Sequence, residues 1–248
     1  PDDPLFPYTL GKPKAFIDMG GRTMLERVVA GLHSSNSVDE VLVVGVDERP
    51  GLKFARPVTM LPDQNGLVAN IYSGLEWLQK HRPKTEILLG CSADIPAISG
   101  PNVNAFVEAC RPWDRAIYYN FVTREATEQR FPGSRRTYSR IEGREVAGGD
   151  MVIARIDVAG RNRELVQSLV GARKKPWRVA SIVGFGMLAR FILRRLTIHD
   201  IEERSSSMIG APVKIIMDGP PELAMDADRP FQVDLLRAEF AQNQLASP

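Results

Sequence analysis

Glu86-Ile-Leu-Leu-Gly-Cys-Ser92, followed at once by Ala93-Asp94-Ile95-Pro96, is the stretch that decides the fold. A continuous apolar run of this length reads as a strand buried on both faces. Glu40-Val-Leu-Val-Val-Gly-Val46 reads the same way, and residues 58–61 read as a short strand. Amphipathic helices stand between these runs. Thr23 can cap a helix whose apolar face is Met24, Leu25, Val28, Val29 and Leu32. Asp63-Gln64-Asn65-Gly66 is turn chemistry, and the helix it opens carries Leu67, Ile71, Leu75 and Leu78 on one face. Ser99 and Pro101 open another, with Val103, Phe106, Val107 and Cys110 inward. Such alternation implies an α/β fold: a mainly parallel, mixed central sheet with helices on both faces.

Further along, residues 116–122 read as a strand and residues 137–146 as a hairpin turning at Glu142-Gly143. Gly148-Gly149 precedes a strand over 151–154. Residues 161–210 are helical and basic. Strands return at 213–217 and 223–225, and Asp228-Arg229-Pro230 starts a closing helix through Val233, Leu236 and Phe240. Residues 1–11 are Pro-rich and read as a loop. The whole, 1–248, reads as one domain with a helical insertion at 159–210.

Composition removes several function classes. The 248 residues carry 32 basic and 30 acidic side chains, a net charge of +2, so the overall field argues against nucleic acid as a partner. No apolar run reaches the ~20 residues of a membrane span. Two cysteines, Cys91 and Cys110, make no disulfide framework and read as small core residues. No signal peptide opens the chain, so a cytoplasmic location is expected. Three scattered histidines rule out the usual zinc spacing.

In open α/β sheets ligands bind beyond the carboxyl ends of strands. Asp94 stands at such an end, where a carboxylate can hold a hard cation; it can equally begin a turn. Asp226-Ala-Asp228-Arg-Pro230 offers a D-x-D pair or a helix cap. Lys12 and Lys14 offer charge for phosphates or are plain loop lysines. Arg124, Arg130, Arg135, Arg136 and Arg140 form a basic cluster, and Arg173, Lys174 and Lys175 a second; Arg suits phosphate, and a solvated face is the alternative. Gly184-Phe-Gly186-Met-Leu-Ala189 matches a dinucleotide fingerprint. Ile182, Phe185, Ala189, Ile192 and Leu196 keep helical spacing through those glycines, so 177–195 is expected to be helical and not strand–turn–helix.

Lys12-Pro-Lys14-Ala-Phe-Ile-Asp-Met-Gly-Gly-Arg-Thr-Met-Leu-Glu-Arg-Val28, Ser92-Ala-Asp94-Ile-Pro96 and Asp226-Ala-Asp228-Arg-Pro230, in this order, resemble the MobA-like nucleotidyltransferases of glycosyltransferase-A-like, Rossmann-type fold. These are relatives of molybdenum-cofactor guanylyltransferase and methylerythritol-phosphate cytidylyltransferase. The family's opening strand and Gly-rich loop have no counterpart in residues 1–8, and the expectation is that they precede Pro1. The resemblance implies a Mg²⁺-dependent enzyme joining an NTP-derived nucleotide to a small phosphorylated acceptor, with release of pyrophosphate. It implies that Lys14 is catalytic and neutralises nucleotide phosphates, and that Asp94 and Asp228 hold Mg²⁺. Gln64, Asn65, Gly66, Asn70 and Asp94 fall on the nucleotide side, and Arg136, Gly148 and Gly149 on the acceptor side. A homodimer is compatible with the pattern. A nucleotide-sugar glycosyltransferase using Asp226-Ala-Asp228, and a nucleotide-binding member without catalysis, are the alternative readings.

Overall fold

The computed structural model describes residues 3–47, 51–172 and 176–245. In chain order its elements begin with α1 (Phe6–Thr9), α2 (Met24–His33), β1 (Leu42–Val44), β2 (Thr59–Leu61), α3 (Leu67–His81), β3 (Ile87–Cys91) and α4 (Gly100–Ala109). There follow β4 (Ile117–Thr123), α5 (Arg124–Arg130), β5 (Ser139–Ile141) and β6 (Arg144–Arg155). The helices α6 (Ile156–Arg161), α7 (Arg163–Ala172), α8 (Pro176–Val183), α9 (Phe185–Ile192) and α10 (Ile198–Ile209) come next. The chain closes with β7 (Val213–Ile216) and α11 (Pro230–Leu245).

The α/β fold with a mixed sheet is as expected. β1 and β2 form a parallel pair. The larger sheet has the order β3-β6-β4-β7, with β5 on the edge of β6. β4 and β7 are parallel, whereas β6 runs antiparallel to β3, β4 and β5. So β3, β4 and β7 point one way, and β6 inserts against them. The carboxyl end of β4 therefore lies beside the first residues of β6, with Thr123 opposite Val146, and that of β3 beside its middle, with Cys91 opposite Met151. One apolar cluster joins Leu25, Val28 and Val29 of α2 to Val43 of β1, Val103 and Phe106 of α4, Tyr118 of β4 and Met151 and Ile153 of β6. Burying each of these larger side chains stabilises the fold by roughly 1.5–3 kcal/mol.

Local chemistry explains the helix starts. Thr23 Oγ1 accepts from Glu26 N at 3.2 Å while Glu26 returns its carboxylate to Thr23 N at 2.7 Å, a reciprocal cap. Thr197 and Asp200 make the same arrangement for α10.

Several local expectations are corrected. Residues 223–225 are not a strand, because Pro220 and Pro221 start a 3₁₀ turn over Pro221–Ala224. Lys14–Phe16 is likewise a 3₁₀ turn, started by Pro13, whose ring fixes φ. Residues 1–11 contain the short helix α1. The apolar face of α3 is rotated from the predicted one. Tyr72 and Leu75 are buried, with Val68 and Leu78 packed beside them, whereas Leu67 and Ile71 are exposed. Residues 177–183 and 185–192 are helical and no strand precedes Gly184, as expected, so the dinucleotide fingerprint lacks its strand; residues 193–195 lie past the helix end. The helix is nevertheless broken in two at Gly184, whose φ of 111° is open to glycine and strained for other residues. The hairpin at Glu142-Gly143 is present, but its second strand does not stop at Val146. It runs unbroken through Gly148-Gly149 to Arg155.

Candidate functional site

The site grows from three chain segments that backbone hydrogen bonds clasp together. Asp94 follows the carboxyl end of β3. Its carbonyl accepts from Ala227 N at 3.0 Å, which lays the 226–228 segment beside it. Ser92 N donates to the Asp150 carbonyl at 3.0 Å, which brings β6 to the same corner. The 225–228 segment alternates: Met225 and Ala227 are wholly buried with Ile17, Val233 and Leu236, so Asp226 and Asp228 face the other way, into the cleft. Ile17 belongs to that cluster, so the turn carrying Lys14 is anchored to the same core. Gln232 Oε1 accepts from Asp228 N at 3.0 Å and Arg229 N at 2.9 Å, which fixes the entry to α11.

Lys14 Nζ donates to Asp94 Oδ2 at 2.9 Å and to Asp228 Oδ1, so one ammonium joins two carboxylates 134 residues apart in sequence. Ser92 Oγ donates to the other oxygen of Asp94. Asp226 instead takes Arg136, and both members of this pair are largely buried. Burial works against the charge on Lys14, but Asp94 and Asp228 outweigh it and hold the ammonium above its ordinary range. Burial also opposes the charge on Asp228, and Lys14 reverses that and draws its carboxyl below the usual value. Asp226 is raised by burial, which Arg136 only partly offsets.

Sequence reasoning missed Asp150. Between Tyr119 and Phe121 the pairing of β4 with β6 slips, so that Gly149, Asp150 and Met151 oppose the single residue Asn120. Such bulges re-aim a side chain. Asp150 Oδ2 is buried with no hydrogen-bond partner among the described residues. Burial, together with Asp226, Asp94 and Asp228 and against Arg136, pushes its carboxyl up to about 7. The one signal in the sequence was a carboxylate inside an otherwise apolar strand, next to two glycines. Arg136 Nε is likewise buried and unpaired. The corner thus sets the carboxyls of Asp94, Asp150, Asp226 and Asp228 against the two cations of Lys14 and Arg136. Among the described residues no three His, Cys, Asp or Glu side chains form a metal-binding group. The excess of carboxylate oxygen, with one oxygen orphaned, does suit a divalent hard cation of the kind held by one or two carboxylates plus substrate phosphates.

The other predicted residues make other contacts. Gln64, Asn65 and Gly66 form the turn after β2, and Asn70 lies in the first turn of α3. Asn70 Oδ1 accepts from Gln64 N at 2.7 Å and Asn70 Nδ2 donates to Asp63 Oδ1 at 2.8 Å, so Asn70 shapes the loop. Among the described residues no hydrogen bond or ion pair joins that loop to the carboxyl cluster. Gly148 and Gly149 admit side chains of β4: a Cβ on Gly149 would lie 2.1 Å from Asn120 Nδ2, and one on Gly148 2.4 Å from Tyr119 Oη. Of the first basic cluster only Arg136 reaches the carboxyls. Arg124 pairs with Glu145, Arg130 with Glu222 and Glu239, and Arg135 stacks over Phe231. Arg173, Lys174 and Lys175 lie outside the described residues. Cys110 is buried and Cys91 half-buried, and neither is in a disulfide.

Residues 9–183 match the model of the MobA-like NTP transferase domain. A hypothetical transferase from Thermus thermophilus is 30% identical, with 89% of this chain and 90% of that one covered, at a TM-score of 0.77. A CMP:2-keto-3-deoxy-manno-octonic acid synthetase complexed with CTP is 15% identical over 93% of this chain and 92% of that one, with a TM-score of 0.56. The 2-C-methyl-D-erythritol 4-phosphate cytidylyltransferase of Thermus thermophilus is 19% identical over 92% of this chain and 94% of that one, with a TM-score of 0.53. The last two share the fold. The chain belongs to the MobA-like NTP transferase family and is a nucleotidyltransferase.

Proposed function

We propose that this nucleotidyltransferase joins an NTP-derived nucleotide to a small phosphorylated acceptor, releasing pyrophosphate with Mg²⁺ bound. The observation that carries this reading is Lys14 held between Asp94 and Asp228 at the carboxyl edge of the sheet. Transfer requires an acceptor phosphate oxygen to bond to the α-phosphorus while the bond to the bridging oxygen of pyrophosphate breaks. Both partners are anions, so the task is to neutralise charge and align the groups. Asp94 and Asp228 would hold the metal, which would supply neutralisation at the phosphate oxygens. Lys14, between the same two carboxylates, would neutralise the nucleotide phosphates. Arg136, anchored by Asp226 and with Nε unpaired, is placed to grip the acceptor phosphate.

The test is pyrophosphate release from each of the four NTPs against a panel of sugar and polyol phosphates, with Mg²⁺ and with EDTA. Release that needs both acceptor and Mg²⁺ supports the reading. Transfer from a nucleotide sugar without pyrophosphate would replace it with a glycosyltransferase, and saturable NTP binding without turnover would replace it with a binding protein.

A further inference from the structure

Helix α9 is folded but has no buried residue. Ala189-Arg190-Phe191-Ile192-Leu193-Arg194-Arg195 are all exposed in succession. Phe185, Ile192 and Leu193 are 68%, 67% and 64% exposed, and Trp177 on α8 is 66% exposed. An eight-residue helix is not stable in water through its own hydrogen bonds; helices of this length are held by an apolar face against something else. Phe185 and Ile192 lie seven residues apart, hence on one face of α9.

The charge around these residues is one-sided. From 165 to 199 the sequence holds no Asp or Glu, and seven Lys or Arg. Arg190 pairs with Asp200 on α10. The side chains of Arg178, Arg194 and Arg195 make no hydrogen bond or ion pair with any described residue, and all three are exposed. Aromatic and aliphatic side chains interleaved with unpaired arginines match an interface that is apolar at one depth and anionic at the next. A second copy would set the same positive face against itself. Ile192 and Leu193 would find no use on a nucleic-acid backbone.

We propose that the α8–α9 segment docks the enzyme on the surface of an anionic lipid bilayer, with Trp177, Phe185, Ile192 and Leu193 entering the headgroup region and Arg178, Arg194 and Arg195 taking lipid phosphates. This is attachment and not crossing: among the described residues no helix is long and apolar enough to span a membrane. The face also has a fixed relation to the sheet. Glu142 N donates to Leu196 O at 3.3 Å and Ile198 N to Glu142 Oε1 at 2.9 Å, which ties the end of the arginine run to the β5–β6 turn. That turn lies beyond the carboxyl end of β4, where Thr123 pairs with Val146. The docked protein would therefore hold the site edge of its sheet near the bilayer.

The experiment is flotation of the full chain with vesicles of phosphatidylcholine, and with vesicles of phosphatidylcholine and phosphatidylglycerol at 7:3, in low and high salt. The expected result is binding at least about tenfold tighter to the anionic vesicles, weakened by salt. Ile192→Asp and the double variant Arg194→Glu/Arg195→Glu should each lose that binding by at least about tenfold while melting at the parental temperature, since the side chains are exposed. Two independent variants keep the test open if one misfolds. Equal binding to both vesicle types, or none, overturns the proposal. So does a dimer in sedimentation equilibrium that Ile192→Asp dissociates, or tighter binding to RNA than to anionic vesicles. Vesicle binding is read without turnover, so its outcome is separate from that of the NTP assay.

Discussion

Lys14 Nζ lies 2.9 Å from Asp94 Oδ2, across 80 residues of sequence, and touches Asp228 on its other side. A cation between two carboxylates at a strand end is a position from which charge can pass to a bound phosphate. Lys14→Met should keep the fold and lower turnover by about 10²–10³-fold, the scale of losing one preorganised electrostatic donor. Pyrophosphate release under saturating NTP reads this. Parental turnover in the variant would remove Lys14 from the site.

Asp94→Asn leaves Asp228 in place and takes away one anionic oxygen. The Mg²⁺ concentration for half-maximal activity should rise by more than about tenfold, equivalent to about 1.4 kcal/mol of binding. A metal titration of activity in both proteins decides it. An unchanged midpoint would assign the metal to other groups.

Asp150 gives a pH dependence. Its carboxyl titrates at about 7 in the fold and near 3.8 when unfolded. A raised folded value contributes stability that is full below the unfolded value and is lost as pH rises through the folded one. Asp150→Asn does not ionise, so relative to the parent it should gain about 2–3 kcal/mol between pH 5 and pH 8. Urea unfolding in nucleotide-free EDTA buffer measures the difference. The same stability offset at both pH values would contradict a buried, unpaired carboxyl.

Gly149→Ala tests the bulge. The added Cβ would meet Asn120, which is wholly buried and cannot swing into solvent. We expect a loss of about 1–3 kcal/mol, as for overpacking elsewhere. Gly171→Ala in α7, where a Cβ meets nothing within 4 Å, should be neutral or stabilising by up to about 1 kcal/mol. Calorimetric melting of the two variants compares them; a silent Gly149→Ala would leave the glycine pair to the acceptor.

Much of this architecture is written in local pattern. The run ending at Ser92 had to be a strand, because its apolar residues leave no polar face, but it is not buried on both faces as that pattern implies: β3 lies at the edge of the sheet, with Ile87 exposed and Leu88 to Cys91 half-buried. Thr23 and Glu26 had to start a helix, because the spacing closes a reciprocal cap. Asp94 and Asp228 stood out because each stands two residues before a proline, the first at the end of a strand and the second at the start of a helix. Lys14, Asp150 and Arg136 could not be placed by such means. The turn at Lys14 is too short to show a period, and proline decides its shape. Asp150 points into the cleft only because β6 inserts between β3 and β4 and then slips against Asn120. Arg136 was one arginine among five, and what separated it was a buried partner, Asp226, that is 90 residues away. Periodicity fixes which face of an element is apolar; which charged ends then meet is set by the order of strands in the sheet, and that order is a property of the whole packed chain.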